Sequence, residues 1–443
     1  MKDLTQGSVT GNIIAMAAPV AAGMVFQTIY LLVDLYFVAR LGDAAVAGVG
    51  AAGTVVFAII ALTQVLGVSS VALISQAVGR KDQTSANLVF NQSLVLGALC
   101  ALVTLAGGYS LSRYYMQYIA ADAQTVDQGV SFLQAFIPGM ALQFAMMAMA
   151  SALRGTGIVK PAMLVQVVTV ILNTVLAPVL IVGVGPVPAL GVFGAGLAST
   201  VSLTVGVLML GYYFHKYEKY VRFDSAMWQP DLPTWRAMLR IGLPAGGEML
   251  LMFVYFGVVY AVIQNFGASA QAGFSIGGRI MQSIFMPTMA IAFAIGPIAG
   301  QNFGAGMKQR VRETGSKGML LSCAVMLVVT LGFQIRPEPL VAFFTDEAAA
   351  IAYGAGFLRI VSLNFVAQAV VFSCSGMFQG LGNTRPALLS SAIRLVIFVV
   401  LAMVVASRPD YVITHVWYVS VLAVVVQALV SYVLLQRLQR EML

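Results

Sequence analysis

The chain has 443 residues, 60% of them hydrophobic and 9% charged, with a formal net charge of +8 and a mean hydropathy of +0.92. Soluble domains carry near a quarter charged residues, so this composition excludes a water-soluble fold. The basic balance does not point to nucleic acid, because the Lys and Arg residues sit in short loops between apolar runs, where they orient a membrane protein.

Apolar runs of about 20 residues, long enough to cross roughly 30 Å of hydrocarbon, recur from end to end. They predict an all-α polytopic membrane protein with twelve spans: 13–39, 45–79, 87–110, 129–153, 160–185, 191–214, 237–264, 271–303, 313–333, 353–379, 385–407 and 411–436. The first run, Ile13 to Val38, is too long for a signal h-region and reads as a span of the mature protein. Cys100, Cys323 and Cys374 lie singly in apolar stretches, as small buried hydrophobes rather than a disulfide framework or metal cluster.

The longest polar connection runs from His215 to Arg240 and divides the chain into an N-lobe (1–214), a cytoplasmic linker (215–240) and a C-lobe (241–443). With the N-terminus cytoplasmic, the inside loops collect Lys2, Arg80, Lys81, Arg154, Lys160, the linker, Lys308, Arg310, Arg312, Lys317, Arg385, Arg437 and Arg440. The outside loops hold Asp122, Asp127, Asp346, Glu347 and Asp410, so both termini are expected in the cytoplasm.

An internal repeat organises the whole chain. Pro19 pairs with Pro244 at an offset of 225, and without a gap the same offset pairs Tyr30 with Tyr255, Gly48 with Gly273, Gln76 with Gln301, Gly129 with Gly354, Gln143 with Gln368, Gly155 with Gly380, Gly157 with Gly382 and Pro161 with Pro386. Basic loops fall at equivalent places in both halves, so the halves run parallel, six spans each. A parallel repeat about an axis along the membrane normal leaves a central cavity that can open to one side at a time, the geometry of alternating access.

Of the sixteen acids, two lie within spans: Asp34 in the first and Glu248 in the seventh. An intramembrane carboxylate is costly unless paired, hydrated or protonated, and so marks a candidate site. Helical spacing places Gln27, Tyr30, Asp34 and Phe37 on one face, where Asp34 can take up and release a proton in each cycle. The alternative is a structural acid bonded to its neighbours. The position equivalent to Asp34 in the second half is Val259, and that of Glu248 is Gly23, so each acid belongs to one lobe. Glu248 either lines the cavity or snorkels, being about 12 Å along its helix from Arg240.

Arg279, Arg359 and Arg394 read as buried bases, structural partners for Glu248 or for backbone carbonyls. Arg394, if it faces the cavity, favours anionic or phosphate-bearing cargo. Phe37, Gln143, Glu248, Tyr255, Gln368 and Arg394 are the candidate cavity residues, and Pro19 can bend the first span. Two histidines at membrane edges and the lack of a Walker loop, metal-ligand spacing or nucleophile motif argue against an enzyme, and the want of an ATP site argues for a secondary transporter.

Several of these residues also form motifs: Pro19 with Val33-Asp34, Gln76 to Gly79, Arg154-Gly-Thr-Gly157 to Pro161, Gly191 to Thr200, Gln301 to Gly304, and Gln379-Gly-Leu-Gly382 to Pro386. Together they resemble the multidrug and toxic compound extrusion (MATE) family of cation-coupled exporters, over essentially the whole chain. The resemblance implies a V-shaped pair of six-helix lobes in a bacterial inner membrane, no cofactor beyond a coupling H⁺ or Na⁺, and export of amphipathic, cationic compounds. A monomer is expected. The helix 1 acid fifteen residues after Pro19 is similar to the DinF-like branch, which implies a coupling cluster of Asp34 with Asn173, Tyr30 and Gln27. That branch often has a second acid four residues after the Asn173 position; here Ala177 stands there, favouring H⁺ over Na⁺. The runner-up reading is a flippase of a lipid-linked or glycosylated precursor.

Overall fold

A computed structural model of the protein describes residues 1–120, 122–183, 185–186, 188–408, 410 and 412–443, apart from the side chains of residues 29–35. The chain is helical almost throughout: α1 Val9–Ala39, α2 Asp43–Gly79, α3 Gln83–Ile119, α4 Ala123–Gly155, α5 Lys160–Val182, α6 Gly191–Lys216, α7 Leu232–Ile263, α8 Ala268–Gly304, α9 Lys308–Ile335, the short α10 Glu338–Ala342, α11 Ala348–Val361, α12 Phe365–Gly380, α13 Arg385–Ala406 and α14 Ile413–Met442. Among the described residues twelve helices are long and apolar enough to cross a membrane, with α11 and α12 counting as one span over Ala348–Gly380.

Local chemistry sets the helix ends. Asp82 caps α3 by accepting from the Ser85 amide at 3.0 Å, and Asp122 caps α4 from Thr125 at 2.8 Å. Pro161 and Pro386 occupy the first turns of α5 and α13, where no amide donor is needed. Inside the spans, hydroxyls such as Ser69 and Ser202 return their protons to backbone carbonyls one turn back, so that no polar group faces hydrocarbon unpaired at those points.

By its internal packing the chain forms two compact units: Met1–Asp3 with Ala22–Gly242, and Leu4–Ala21 with Leu243–Leu443. The division differs from the expected 1–214, 215–240 and 241–443. The first half of α1 groups with unit 2 because Leu4 is anchored there: its amide donates to Gln301 Oε1 at 2.9 Å and its carbonyl accepts from Asn302 Nδ2 at 3.3 Å. Arg310 completes this anchor, bonding Asn302 Oδ1 at 3.0 Å and the Gly7 carbonyl at 3.1 Å. The switch falls two residues after Pro19, and in α7 one residue before Leu243-Pro244.

The expected linker is also shorter and more ordered than its polarity suggested, with irregular chain only between Lys216 and Leu232 apart from a 3₁₀ turn at Ser225–Met227. Three amides of α3 hold it. Asn87 accepts from the Arg222 amide, Asn91 accepts from the Asp224 amide and from Trp228 Nε1, and Gln92 donates to the carbonyls of Met227 and Gln229 at 2.7 Å each.

In unit 1, α4 packs against α2, α3 and α6, and α5 against α6; in unit 2, α8 packs against α9, α11 and α12, with α14 against α12 and α13. The sequence repeat is a structural repeat. A Cβ on Gly48 would lie 2.7 Å from the Gly129 nitrogen, and one on Gly273 would lie 2.8 Å from that of Gly354, so the same helix pair crosses at bare backbone in each half. Two elements break the symmetry: the second-half equivalent of α3 is split into α9 and α10, and that of α4 is interrupted by a 3₁₀ turn at Ser362–Asn364, the level at which α4 carries Pro138.

Candidate functional site

Unit 1 offers the expected coupling residues on α1 and α5. Tyr30 and Asp34 lie on the helical backbone of α1, but their side chains fall outside the described residues. On the same helix Gln27 is exposed, and Phe37 is half-buried, packed edge-on to Tyr36 at 5.2 Å and against the apolar core of unit 1. On α5, Asn173 is 1% exposed. Its Nδ2 donates to Ser199 Oγ at 3.2 Å, while its Oδ1 is buried with no donor among the described residues. An unsatisfied buried acceptor costs roughly 1–3 kcal/mol, and it can bond a protonated carboxyl or coordinate a small cation. One turn further on, Ala177 is fully buried in the apolar core. Gln143, on α4, is half-buried.

The equivalent positions in unit 2 carry opposite chemistry. Val259 stands for Asp34 and Phe398 for Asn173, and both are buried in one aromatic core. Tyr255, the counterpart of Tyr30, packs its ring 4.8 Å from that of Phe398 and shares a 2.6 Å hydrogen bond with Ser420 Oγ. Gln368, the counterpart of Gln143, is buried.

Of the four charged residues that the sequence reading singles out in unit 2, Glu248 and Arg394 are half-buried. Glu248, half-buried on α7, accepts a hydrogen bond from Ser375 Oγ at 3.1 Å, and Gln379 Nε2 lies 3.4 Å from that hydroxyl. An arginine partner for Glu248 was the expectation; the partner is a serine hydroxyl. Arg394, half-buried on α13, has its guanidinium carbon 4.1 Å over the Tyr255 ring and donates from Nη1 to Gln427 Oε1 at 3.4 Å. Arg279 and Arg359 are corrected: both are exposed, and Arg359 pairs with Glu338 at 2.7 Å. Their apolar flanks suggest burial, but both side chains are exposed on their helices.

Among the described residues the structure joins Tyr255 to Arg394. It adds residues the sequence reading missed, namely Ser199, Ser375, Gln379, Ser391, Ser420 and Gln427. Ser375 and Gln379 stand one helical turn apart, and Gln427 is a lone amide in an apolar run, both visible as polar marks without a partner in sequence.

The MatE family model matches residues 19–179 and again 244–404. Among curated proteins the chain is 25% identical over 388 residues to "Probable multidrug resistance protein YpnP" of Bacillus subtilis, covering 85% of both chains. It is 26% identical over 386 residues to "Probable multidrug resistance protein NorM" of Thermotoga maritima, covering 87% of this chain and 82% of the other. Another relative, 24% identical over 339 residues and covering 76% of this chain and 73% of its own, is a "FAD transporter" of Shewanella oneidensis. Among solved structures, the outward-facing conformation of a multidrug resistance MATE family transporter of the MOP superfamily superposes with a TM-score of 0.92 at 25% identity, over 99% of this chain and 98% of its own.

Proposed function

The chain belongs to the MatE family, and from that premise we propose that it is a secondary active antiporter that exports amphipathic, mainly cationic organic compounds in exchange for inward H⁺ at Asp34. The observation that carries the reading is the broken repeat. At two matched positions the first half has Asp34 and Asn173 where the second half has Val259 and Phe398. The Asn173 oxygen, buried and without a donor among the described residues, is a ready acceptor for a protonated carboxyl.

In this mechanism a proton arriving from outside neutralises Asp34, and a neutral carboxyl costs far less to hold within a membrane span than a carboxylate. Its release on the cytoplasmic side restores the charge and resets the carrier, with α1 bending at Pro19 between the two states. Proton coupling is preferred to Na⁺ because Ala177 supplies no second carboxylate and lies in the apolar core; one acid matches one proton in charge, whereas a dehydrated Na⁺ needs several oxygen ligands. Glu248, with a single hydroxyl donor, serves as the negative end for cationic cargo. In this reading the protein works as a monomer in a bacterial inner membrane, with both termini cytoplasmic. The flippase alternative calls for a cavity rich in cationic side chains, for which Arg279, Arg359 and Arg394 are the candidates.

The test is tolerance. Cells expressing the parent should survive higher concentrations of lipophilic quaternary ammonium dyes than cells expressing Asp34→Asn at equal membrane levels. Equal tolerance in both would remove Asp34 from the mechanism.

A further inference from the structure

We propose that unit 2 holds an anion-binding site centred on the guanidinium of Arg394, suited to the carboxylate or other oxyanion end of an amphipathic molecule. Arg394 lies nine residues into a 22-residue span of hydropathy 2.6, so its charge sits near mid-depth rather than at a rim. A cation at that depth is costly unless something of opposite charge meets it, and it marks a site by default. Yet the groups that hold it among the described residues, Tyr255 and Gln427, are neutral.

Those neutral groups hold the guanidinium in place without cancelling its charge. The Tyr255 ring lies 4.1 Å beneath it, and the ring is fixed from behind by Phe398 at 4.8 Å and at its hydroxyl by Ser420. Gln427, 2% exposed, is turned by its own Nε2 bond to Ser391 Oγ at 3.0 Å so that its oxygen faces Arg394. That oxygen, 3.4 Å from Nη1, is the one hydrogen-bond acceptor Arg394 has among the described residues, and the buried Nε has none. No carboxylate lies within ion-pair distance of it among the described residues. A guanidinium carries five donors in a planar fork that matches an oxyanion, so most of its capacity is unspent. The site is particular to this half, since the matched position in unit 1 is Thr169, whose hydroxyl returns to the Gln166 carbonyl.

The inference deepens the export reading by adding the acidic end of a cargo to it, and its test measures binding alone. The full chain in phosphatidylcholine nanodiscs is titrated with a fluorescent coumarin-3-carboxylate and with its uncharged ethyl ester. The parent should bind the acid at least tenfold tighter than the ester. Arg394→Gln should abolish that preference and leave ester binding unchanged, and Arg394→Lys, which keeps charge but loses the fork, should reduce it severalfold. A second arm titrates inorganic phosphate alone against bound probe: displacement identifies a site for a free oxyanion, and its failure identifies one that needs the amphipathic body. Equal binding of acid and ester by the parent would overturn the proposal, a result that needs no variant to fold. Full preference retained by Arg394→Gln would overturn it as well. An inactive transporter that still prefers the acid would instead count against the antiport reading.

Discussion

The two halves of this protein share a backbone plan and differ in what they bury. Gly48 meets Gly129 in unit 1 as Gly273 meets Gly354 in unit 2, so the helix crossings have been kept. At the matched positions of α5 and α13, however, unit 1 buries an amide with a free acceptor, and unit 2 buries Phe398 against Tyr255 with no polar atom to satisfy. Unit 2 carries its charge elsewhere, at Glu248 and Arg394. Duplicated scaffolds can thus divide labour: close-packed glycines preserve shape in both copies, while a few buried side chains set each copy's chemistry.

The strongest challenge to that contrast is to exchange the chemistry. Val259 is 1% exposed, so Val259→Asp would place a carboxylate in the aromatic core of unit 2 at a cost of several kcal/mol, and thermal unfolding in detergent should drop steeply. Asp34→Val should leave melting nearly unchanged while removing transport. A milder pair contrasts the α5 and α13 positions. Phe398→Ala should destabilise by about 3 kcal/mol through the cavity it leaves. Asn173→Ala removes one bond to Ser199 and one unsatisfied acceptor, so it should shift stability by less than about 1 kcal/mol while lowering transport roughly tenfold, the worth of one lost hydrogen bond to the coupling carboxyl.

Smaller effects are expected where the halves differ outside the membrane. Asn91→Ala removes three bonds that hold the linker, and limited proteolysis should cut between residues 217 and 231 several times faster. Asp82→Ala should cost about 0.5 kcal/mol, the low end for a solvated cap. The side-chain and backbone bonds from Ser85 hold the Asp82 carboxyl below its ordinary value of 3.8. The cap is therefore fully present above that value and is lost as pH falls through the lower folded value, so parent and variant should converge in strong acid and differ at neutral pH.

The repeat, the spans and the family were legible in sequence because they rest on spacing. An offset of 225 held without a gap, and charge-poor runs of membrane length need no tertiary information. What spacing could not supply was the company each residue keeps. Leu4 is distant in sequence from Gln301 and Asn302, and only their hydrogen bonds, with those of Arg310, tie the start of the chain before α1 to unit 2. Arg279, Arg359 and Arg394 have similar apolar flanks, but two are exposed and one lies over Tyr255, a difference set by how each helix packs in the unit. The 3₁₀ turn at Ser362–Asn364 lacks the proline that α4 carries at that level, so the run read as one unbroken span.

The account turns on a proton site confined to the first half. Its most direct test is substrate efflux from proteoliposomes under separately imposed pH and Na⁺ gradients, comparing the parent with Asp34→Asn. A pH gradient alone should drive efflux by the parent and none by the variant. Efflux driven by Na⁺ alone, or a variant that still responds to the pH gradient, would contradict it.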